Sequence, residues 1–580
     1  ILAFSTQSIF MTGMGYDFTL PMGETVAIAL PVSFLVAMFL VPMLNWRYIK
    51  KGLAGKENAA DKPSMLTRMQ AFYDALLDRH IMPRQRRAVV GGLIAIALGL
   101  VLFALLPQQL FPTLERNQFA VEIYFKKGTS LDKNGRFTRG LAELLKKDAR
   151  VTDVISFVGT SSPRFHTLYA PKMPSSDYSQ ILVMTRTNEE TEKVLREYDA
   201  RYRDAFPEAH VRWKQLGFLS ASAPLEIRVA GDSVEEVKTA GAAIKKLVAA
   251  EKDVIWIRDD FRETQPQAEL SLDGESANRL GLSRGMLGLS VAMNRGGLPI
   301  STVWEGDYQR SVVLKYDKAR SSAPEKLEDQ YVSALLSPKP VLLRQVARVR
   351  PGFTEGQIVR RNGRITLTIL GDIAFDKLTS PVLARLDRKI KAMDLPPSVA
   401  VTYGGEDDMR TETFVPFTKA LLASMLMIFV VLLFQFRTVR LALLIMATMP
   451  LSVIGAALGL HLLRYPFGMT AFLGIIGLFG TVVRNGIILI SYAHELEHKG
   501  MSVREAATAA GKRRLRPIFL TASAAAVGVI PLILSGSLLW GPLGTVICFG
   551  LIGSTILTLL VLPAAYALYG EKEVKEEHSV

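Results

Sequence analysis

Seven long apolar runs mark the chain, at about 24–44, 88–106, 417–436, 441–462, 470–492, 517–535 and 543–567. Each is near the 17–25 residues that a helix needs to cross roughly 30 Å of hydrocarbon. The stretch 1–14 is apolar but too short to cross, and residue 1 is Ile with no basic segment of the kind that opens a signal peptide. It is expected to be the remnant of a transmembrane helix, with an interfacial segment as the alternative. Between the second and third runs the pattern changes. Residues 119–125 alternate as a strand, 134–146 form an amphipathic helical stripe, and 151–157 read as a second strand. The same order recurs at 181–187, 189–203 and 210–215, then at 225–230, 234–250 and 254–258, and finally at 365–370, 378–393 and 399–403. This is the split βαβ arrangement of ferredoxin-like subdomains, with a Gly- and Pro-rich block at 266–357 inserted between the last two units. The expected fold class is an α-helical transmembrane bundle, seven full spans plus a partial one, carrying a large α+β region.

Charge supplies the orientation. Segment 47–87 holds ten Lys/Arg against four Asp/Glu, which marks the linker 45–87 as cytoplasmic by the positive-inside rule. Alternation then places 437–440, 499–516 and the tail 568–580 on the same side. It puts about 310 residues, 107–416, on the other side, together with the sparsely charged loops near Arg464 and 535–540. The net charge of +15 therefore does not call for nucleic acid, because much of the basic excess lies in short loops beside apolar runs. A mean hydropathy of +0.23 with 21% charged residues fits membrane spans joined to a large water-exposed part. The single cysteine, Cys548, excludes an intramolecular disulfide.

One charge lies where it is expensive. Arg484 sits inside the fifth run, in Gly480-Thr-Val-Val-Arg-Asn-Gly-Ile-Ile-Leu489. A cation near mid-bilayer costs about 2.5–3.5 kcal/mol on insertion scales, so an acidic counter-ion within the bundle is expected. Apart from Glu24 at one extremity, the complete runs contain no Asp or Glu, so that partner must come from elsewhere. In Arg513-Arg-Leu-Arg-Pro-Ile-Phe-Leu-Thr521, Pro517 suits a helix start, and Thr521 lies about one turn further on. Taken alone, Arg514 there reads as a positive-inside anchor and Thr521 as a packed helix hydroxyl. The acidic triplet Glu406-Asp407-Asp408 lies outside the membrane and is expected to be solvated. The methionines of 107–416 are scattered, without the paired His or Cys that a soft metal favours. No catalytic residue, cofactor site or metal site is expected. In the absence of a phosphate-binding GxxxxGK[ST] loop, an ion gradient is the expected energy source.

Phe111-Pro112, Gly128-Thr-Ser-Leu131, segments 171–180 and 268–282, Pro450-Leu-Ser-Val-Ile-Gly-Ala456, 480–492 and 515–521 together resemble the resistance–nodulation–division (RND) permeases, in their hydrophobe/amphiphile efflux branch. The resemblance implies the C-terminal half of a proton-driven homotrimeric pump in the Gram-negative inner membrane. A periplasmic adaptor and an outer-membrane channel would be its partners, and amphiphilic small molecules its substrates. It assigns porter subdomains to 107–222 and to 223–265 with 358–405, and a docking insertion to 266–357. The family's proton relay pairs two aspartates of a first-half helix, which would precede Ile1, with a Lys, an Arg and a Thr; the last three fall on Arg484, Arg514 and Thr521. Arg484 departs from the family's Lys. Because Arg keeps its proton and holds carboxylates with a fork of donors, it implies a fixed counter-charge rather than a proton carrier. Alternatives are a lipid/hopanoid or metal exporter of the same superfamily, and a SecD/SecF-like translocation accessory, against which the size of 107–416 argues.

Overall fold

A computed structural model describes residues 9–11, 13–48, 65–166, 169–203, 205–218, 221–314, 324–332, 340–375 and 377–577. Most of the expected helix remnant at 1–14, and 49–64 of the expected linker, lie outside these residues. Helix α1 (Gly13–Leu35) runs on to Tyr48 through a π turn. The rest of the linker is helical: α2 (Met65–Leu76) passes through a π and a 3-10 turn into α3 (Gln85–Ala104). Patterning did not single out α2, which docks on a neighbour by polar contacts as well as apolar ones. Gln70 donates to Lys512 O at 2.9 Å, and the Tyr73 hydroxyl donates to Leu559 O at 2.8 Å.

Two antiparallel sheets follow that share a four-strand topology, the second carrying a further two-residue strand at Arg360–Arg361. The first runs β1 (Gln118–Phe125), α4 (Leu131–Lys146), β2 (Val151–Val158), β3 (Tyr178–Thr185), α5 (Asn188–Tyr202) and β4 (Ala209–Gln215), with spatial order β2-β3-β1-β4. Ser130 and Thr187 start the two helices by accepting the N–H of Lys133 and Glu190. Phe119, Val121, Ile123 and Phe125 face those helices and form a core with Leu141, Leu145 and Val194. The second sheet runs β5 (Leu225–Gly231), α6 (Val234–Ala249) and β6 (Val254–Asp259). It resumes after an insertion opened by β7 (Gln265–Leu272), continued by the hairpin β8 (Leu298–Glu305) and β9 (Tyr308–Leu314), and closed by β10 (Ala347–Thr354), which pairs antiparallel with β7. Then come β11 (Arg364–Ile373), α7 (Thr379–Lys391) and β12 (Ala400–Gly405), giving the order β6-β11-β5-β12. The strands and helices expected from patterning all form, with ends shifted by a few residues.

The remaining helices are α8 (Glu406–Phe436), α9 (Val439–Met446), α10 (Thr448–Leu462), α11 (Met469–His498), α12 (Val503–Leu534) and α13 (Gly541–Glu577). Seven helices among the described residues are long and apolar enough to cross a membrane, and each overlaps one of the seven runs. Small residues let them approach closely. A Cβ at Gly455 of α10 would lie 2.4 Å from Phe549 O of α13. Gly405, at φ +73, turns β12 into α8, and there a Cβ would meet Pro224 O at 2.4 Å. The loops assigned by charge to one side share one end of the bundle: Phe467 bridges Gln108, and Leu538 donates to Glu115 at 2.5 Å. The loops assigned to the other side meet at the opposite end, where Lys512 pairs with Asp78 at 2.7 Å and Arg504 donates to Met82 O at 3.0 Å.

Candidate functional site

Helix α11 is mostly buried, with Val482, Val483, Asn485, Gly486, Leu489 and Ile490 packed inward. Arg484 lies on its one open stripe, in line with exposed Gly480 and half-buried Thr481, Ile487, Ile488 and Ser491, spaced by three and four residues. Among the described residues its guanidinium has no ion pair or hydrogen bond. Arg514 of α12 stacks over the Tyr492 ring of α11 at 4.5 Å. Thr521 is exposed on α12 and returns its hydroxyl to Ile518 O at 3.1 Å. Arg514 is thus tied to the same helix as Arg484, about two turns away along it. Among the described residues no hydrogen bond or cation–ring contact joins Arg484 to Arg514 or Thr521.

The acidic triplet is not solvated as expected. Glu406 accepts the Leu110 N–H at 3.2 Å, Asp407 pairs with Arg410 at 2.7 Å, and Asp408 pairs with Arg228 of β5 at 2.5 Å. At the start of α8, Asp408 thus ties the helix to the second sheet and Glu406 ties it to the segment leaving α3, while Asp407 braces its own helix. The sequence also carries a metal-type spacing, His494-Glu-Leu-Glu-His498, that the expectation of no metal site passed over. The two Nε2 atoms lie 3.1 Å apart, but Glu495 is paired with Lys499 at 2.5 Å. Among the described residues no third ligand completes a metal-holding group.

A second constellation occupies the seam between the sheets. Side chains alternate in a strand, so with the odd residues of β1 in the core, Glu122 and Tyr124 point to the opposite face. Glu122 stands opposite Arg212 on β4, and Asp372 of β11 stands opposite Trp256 of β6. Arg212 joins the two sheets: Nε and Nη2 each donate to Asp372 at 2.6 Å, and Nη1 donates to Glu122 at 3.2 Å. It also stacks on Trp256 at 4.5 Å. Glu122, 1% exposed, further accepts from the Tyr124 hydroxyl at 2.8 Å and from Tyr169. Lys214 and Lys172 approach it to 3.8 and 4.0 Å. Burial alone would raise the Glu122 carboxyl, but Lys172, Lys214, Arg212 and the Tyr169 hydroxyl outweigh it and hold the group well below the usual carboxylate range. Burial and the neighbouring cations push both lysines down, Lys172 to about 8, against the pull of Glu122. Sequence alone showed these strands but not this role, because charges alternating with a core face look the same whether that second face meets water or another sheet.

Beside the seam a cavity of about 600 Å³ opens between the sheets and the upper end of the bundle. Arg212, Lys214 and Asp372 lie on its wall, and Arg464, Pro466 and Leu538 on its bundle side.

The sequence profile of the AcrB/AcrD/AcrF family matches residues 2–570. The chain belongs to this family of RND permeases. It is a multi-pass membrane protein. It is 26% identical over 565 residues to the swarming motility protein SwrC of Bacillus subtilis, covering 96% of this chain and 52% of that protein. It is 24% identical over 601 residues to the cobalt-zinc-cadmium resistance protein CzcA of Cupriavidus metallidurans, covering 98% and 54%. It is 25% identical over 552 residues to the multidrug resistance protein MdtC of Escherichia coli, covering 94% and 53%. A crystal structure of a heavy metal efflux pump has the same fold, with a TM-score of 0.79 and 24% identity over 98% of this chain and 57% of that one. The chain therefore spans about half the length of these relatives.

Proposed function

We propose that the chain is the C-terminal half of a proton-driven RND permease that exports amphiphilic small molecules through the cell envelope. The observation that carries this is Arg484, a cation without an ion pair among the described residues, on the open stripe of an otherwise packed membrane helix. Such a charge is tolerable when a helix bearing carboxylates covers it. Proton uptake by those acids would release the fixed guanidinium and proton loss would recapture it, giving two states of the bundle. Arg514 and Thr521 on α12 are proposed to follow that exchange, and α12 to relay it toward the cavity.

In this scheme the two like-folded sheets are ferredoxin-like porter subdomains, at 107–222 and at 223–265 with 358–405, and 266–357 is a docking insertion. The exposed hairpin β8–β9, with Trp304 and Tyr308 uncovered, supports the insertion's role as a contact surface. A homotrimer in the Gram-negative inner membrane, meeting a periplasmic adaptor and an outer-membrane channel, completes the proposal. Likeness to CzcA favours a metal ion as a second reading of the cargo. The cavity's aromatic and Lys/Arg walls suit an amphiphile better than a soft ion, which wants thiolate, thioether or imidazole donors.

The test is Arg484→Ala in the complete protein, expressed in a strain lacking its own pump and challenged with a panel of detergents, dyes and metal salts. Loss of resistance at unchanged expression is expected. Wild-type resistance would refute the assignment.

A further inference from the structure

The charges of the seam do not balance. Among the described residues, Arg212, Lys214, Lys172 and Arg258, the last over the Tyr124 ring, face three carboxylates, Glu122, Asp372 and, 4.0 Å from Arg258, Glu263. Arg212, 3% exposed, is taken up by Asp372, whose carboxylate accepts two of its N–H groups. That leaves Glu122 between two lysines, with one positive charge in surplus. Lys214 is mostly covered and lies over the Tyr169 ring at 4.7 Å, so water screens it poorly. A covered cation without its own counter-charge is costly, and an anion brought from outside relieves that cost.

The surplus faces the cavity. Arg212, Lys214 and Tyr169 are on its wall, and five Lys/Arg against three Asp/Glu line it altogether. The other cations, Arg196, Lys377 and Arg464, come from three separate elements, so the positive potential is a property of the enclosure and not of one helix. Between them the lining is apolar, with Phe111, Phe218, Phe375, Pro466 and Leu538. Phe111 and Phe218 form a ring pair with centroids 5.2 Å apart. Such a wall has room for a hydrocarbon tail beside a charged head.

We propose that this cavity selects amphiphiles with an anionic head (phosphate, sulfate or carboxylate), the head meeting Lys214 and the tail lying on the Phe111–Phe218 side. This narrows the substrate class of the export reading and rests on it. A single-chain compound and an anionic membrane lipid share the chemistry. An anionic head would supply the counter-charge that the seam lacks.

The full chain in phosphatidylcholine nanodiscs is photolabelled with a diazirine-bearing alkyl phosphate, and the labelled peptides are mapped by mass spectrometry. Decyl phosphate, decyl glucoside and decyltrimethylammonium compete. Label is expected in 109–113, 212–218 and 464–466, with decyl phosphate displacing it at concentrations about tenfold lower than the other two. Lys214→Met should abolish that preference, Lys214→Arg should keep it, and Arg464→Gln, an exposed position where folding is not at stake, should weaken it. Protection by added phosphatidylglycerol but not by inorganic phosphate would assign the head to the bilayer's own lipid; protection by decyl phosphate alone would assign it to a single-chain cargo. Equal displacement by all three heads, or a preference indifferent to Lys214→Met and Arg464→Gln, would overturn the proposal while leaving amphiphile export standing. Failure of every head to reach the cavity counts against the export reading itself.

Discussion

Arg212 and Asp372, 160 residues apart in sequence, share two hydrogen bonds of 2.6 Å that fasten the first sheet to the second. With Trp256 beneath the guanidinium and Glu122 on its remaining side, this pair is the firmest polar contact across a seam otherwise made of aromatic rings and charges.

Removing one partner strands the other in a covered place. Asp372→Ala is therefore expected to destabilise the sheet region by about 3–5 kcal/mol, as for other broken buried pairs. Hydrogen exchange should quicken in β4 and β11 while α10 and α13 keep their protection. Unchanged exchange at β4 would show that the seam does not depend on this pair.

Lys172 sits over the rings of Tyr124 and Tyr178, at 4.4 and 5.2 Å, and is also faced by Glu122, Arg212, Lys214 and Arg258. Burial holds its ammonium near pKa 8, below its ordinary 10.5. Between those values the unfolded chain binds the extra proton, so this group makes the protein more stable as pH rises through 8, and its cost is fully present below. Acetic anhydride labelling at Lys172 should show a midpoint near pH 8, moving lower in Glu122→Gln, where the one opposing carboxylate is gone. A midpoint above 10 would contradict this placement.

Close approach of α10 and α13 makes Gly455 intolerant of any side chain. Gly455→Val is expected to cost about 1–3 kcal/mol or more, read as a lower thermal unfolding midpoint in detergent. Gly528→Val on α12, where a Cβ meets nothing within 4 Å, serves as the control and should change little.

Much of this architecture was legible from periodicity. The seven apolar runs located the long helices, and the alternation at 119–125 and 225–230 located the strands, because burying one face or a whole helix forces a repeat on the sequence. The sidedness of the loops followed from Lys and Arg alone. Arg484 stood out because a cation inside an apolar run is costly unless it snorkels to the interface or meets an acid. Three features stayed hidden for physical reasons. Helix α2 is amphipathic and short, and it is held by contacts to residues more than 400 positions away. The triplet 406–408 resembled a solvated cluster because its partner Arg228 comes from a strand 180 residues earlier. The seam of Glu122, Arg212 and Asp372 needed the two sheets to be brought face to face, which no single strand's pattern reveals.

Under the proposed function, a proton gradient drives export by the complete protein. The complete protein, reconstituted in vesicles with an entrapped amphiphilic fluorophore and given an acid pulse, measures that most directly. The account predicts fluorophore movement that stops on addition of a protonophore and is absent in Arg484→Ala. Movement that persists with the gradient collapsed, or that is undiminished in Arg484→Ala, would contradict it.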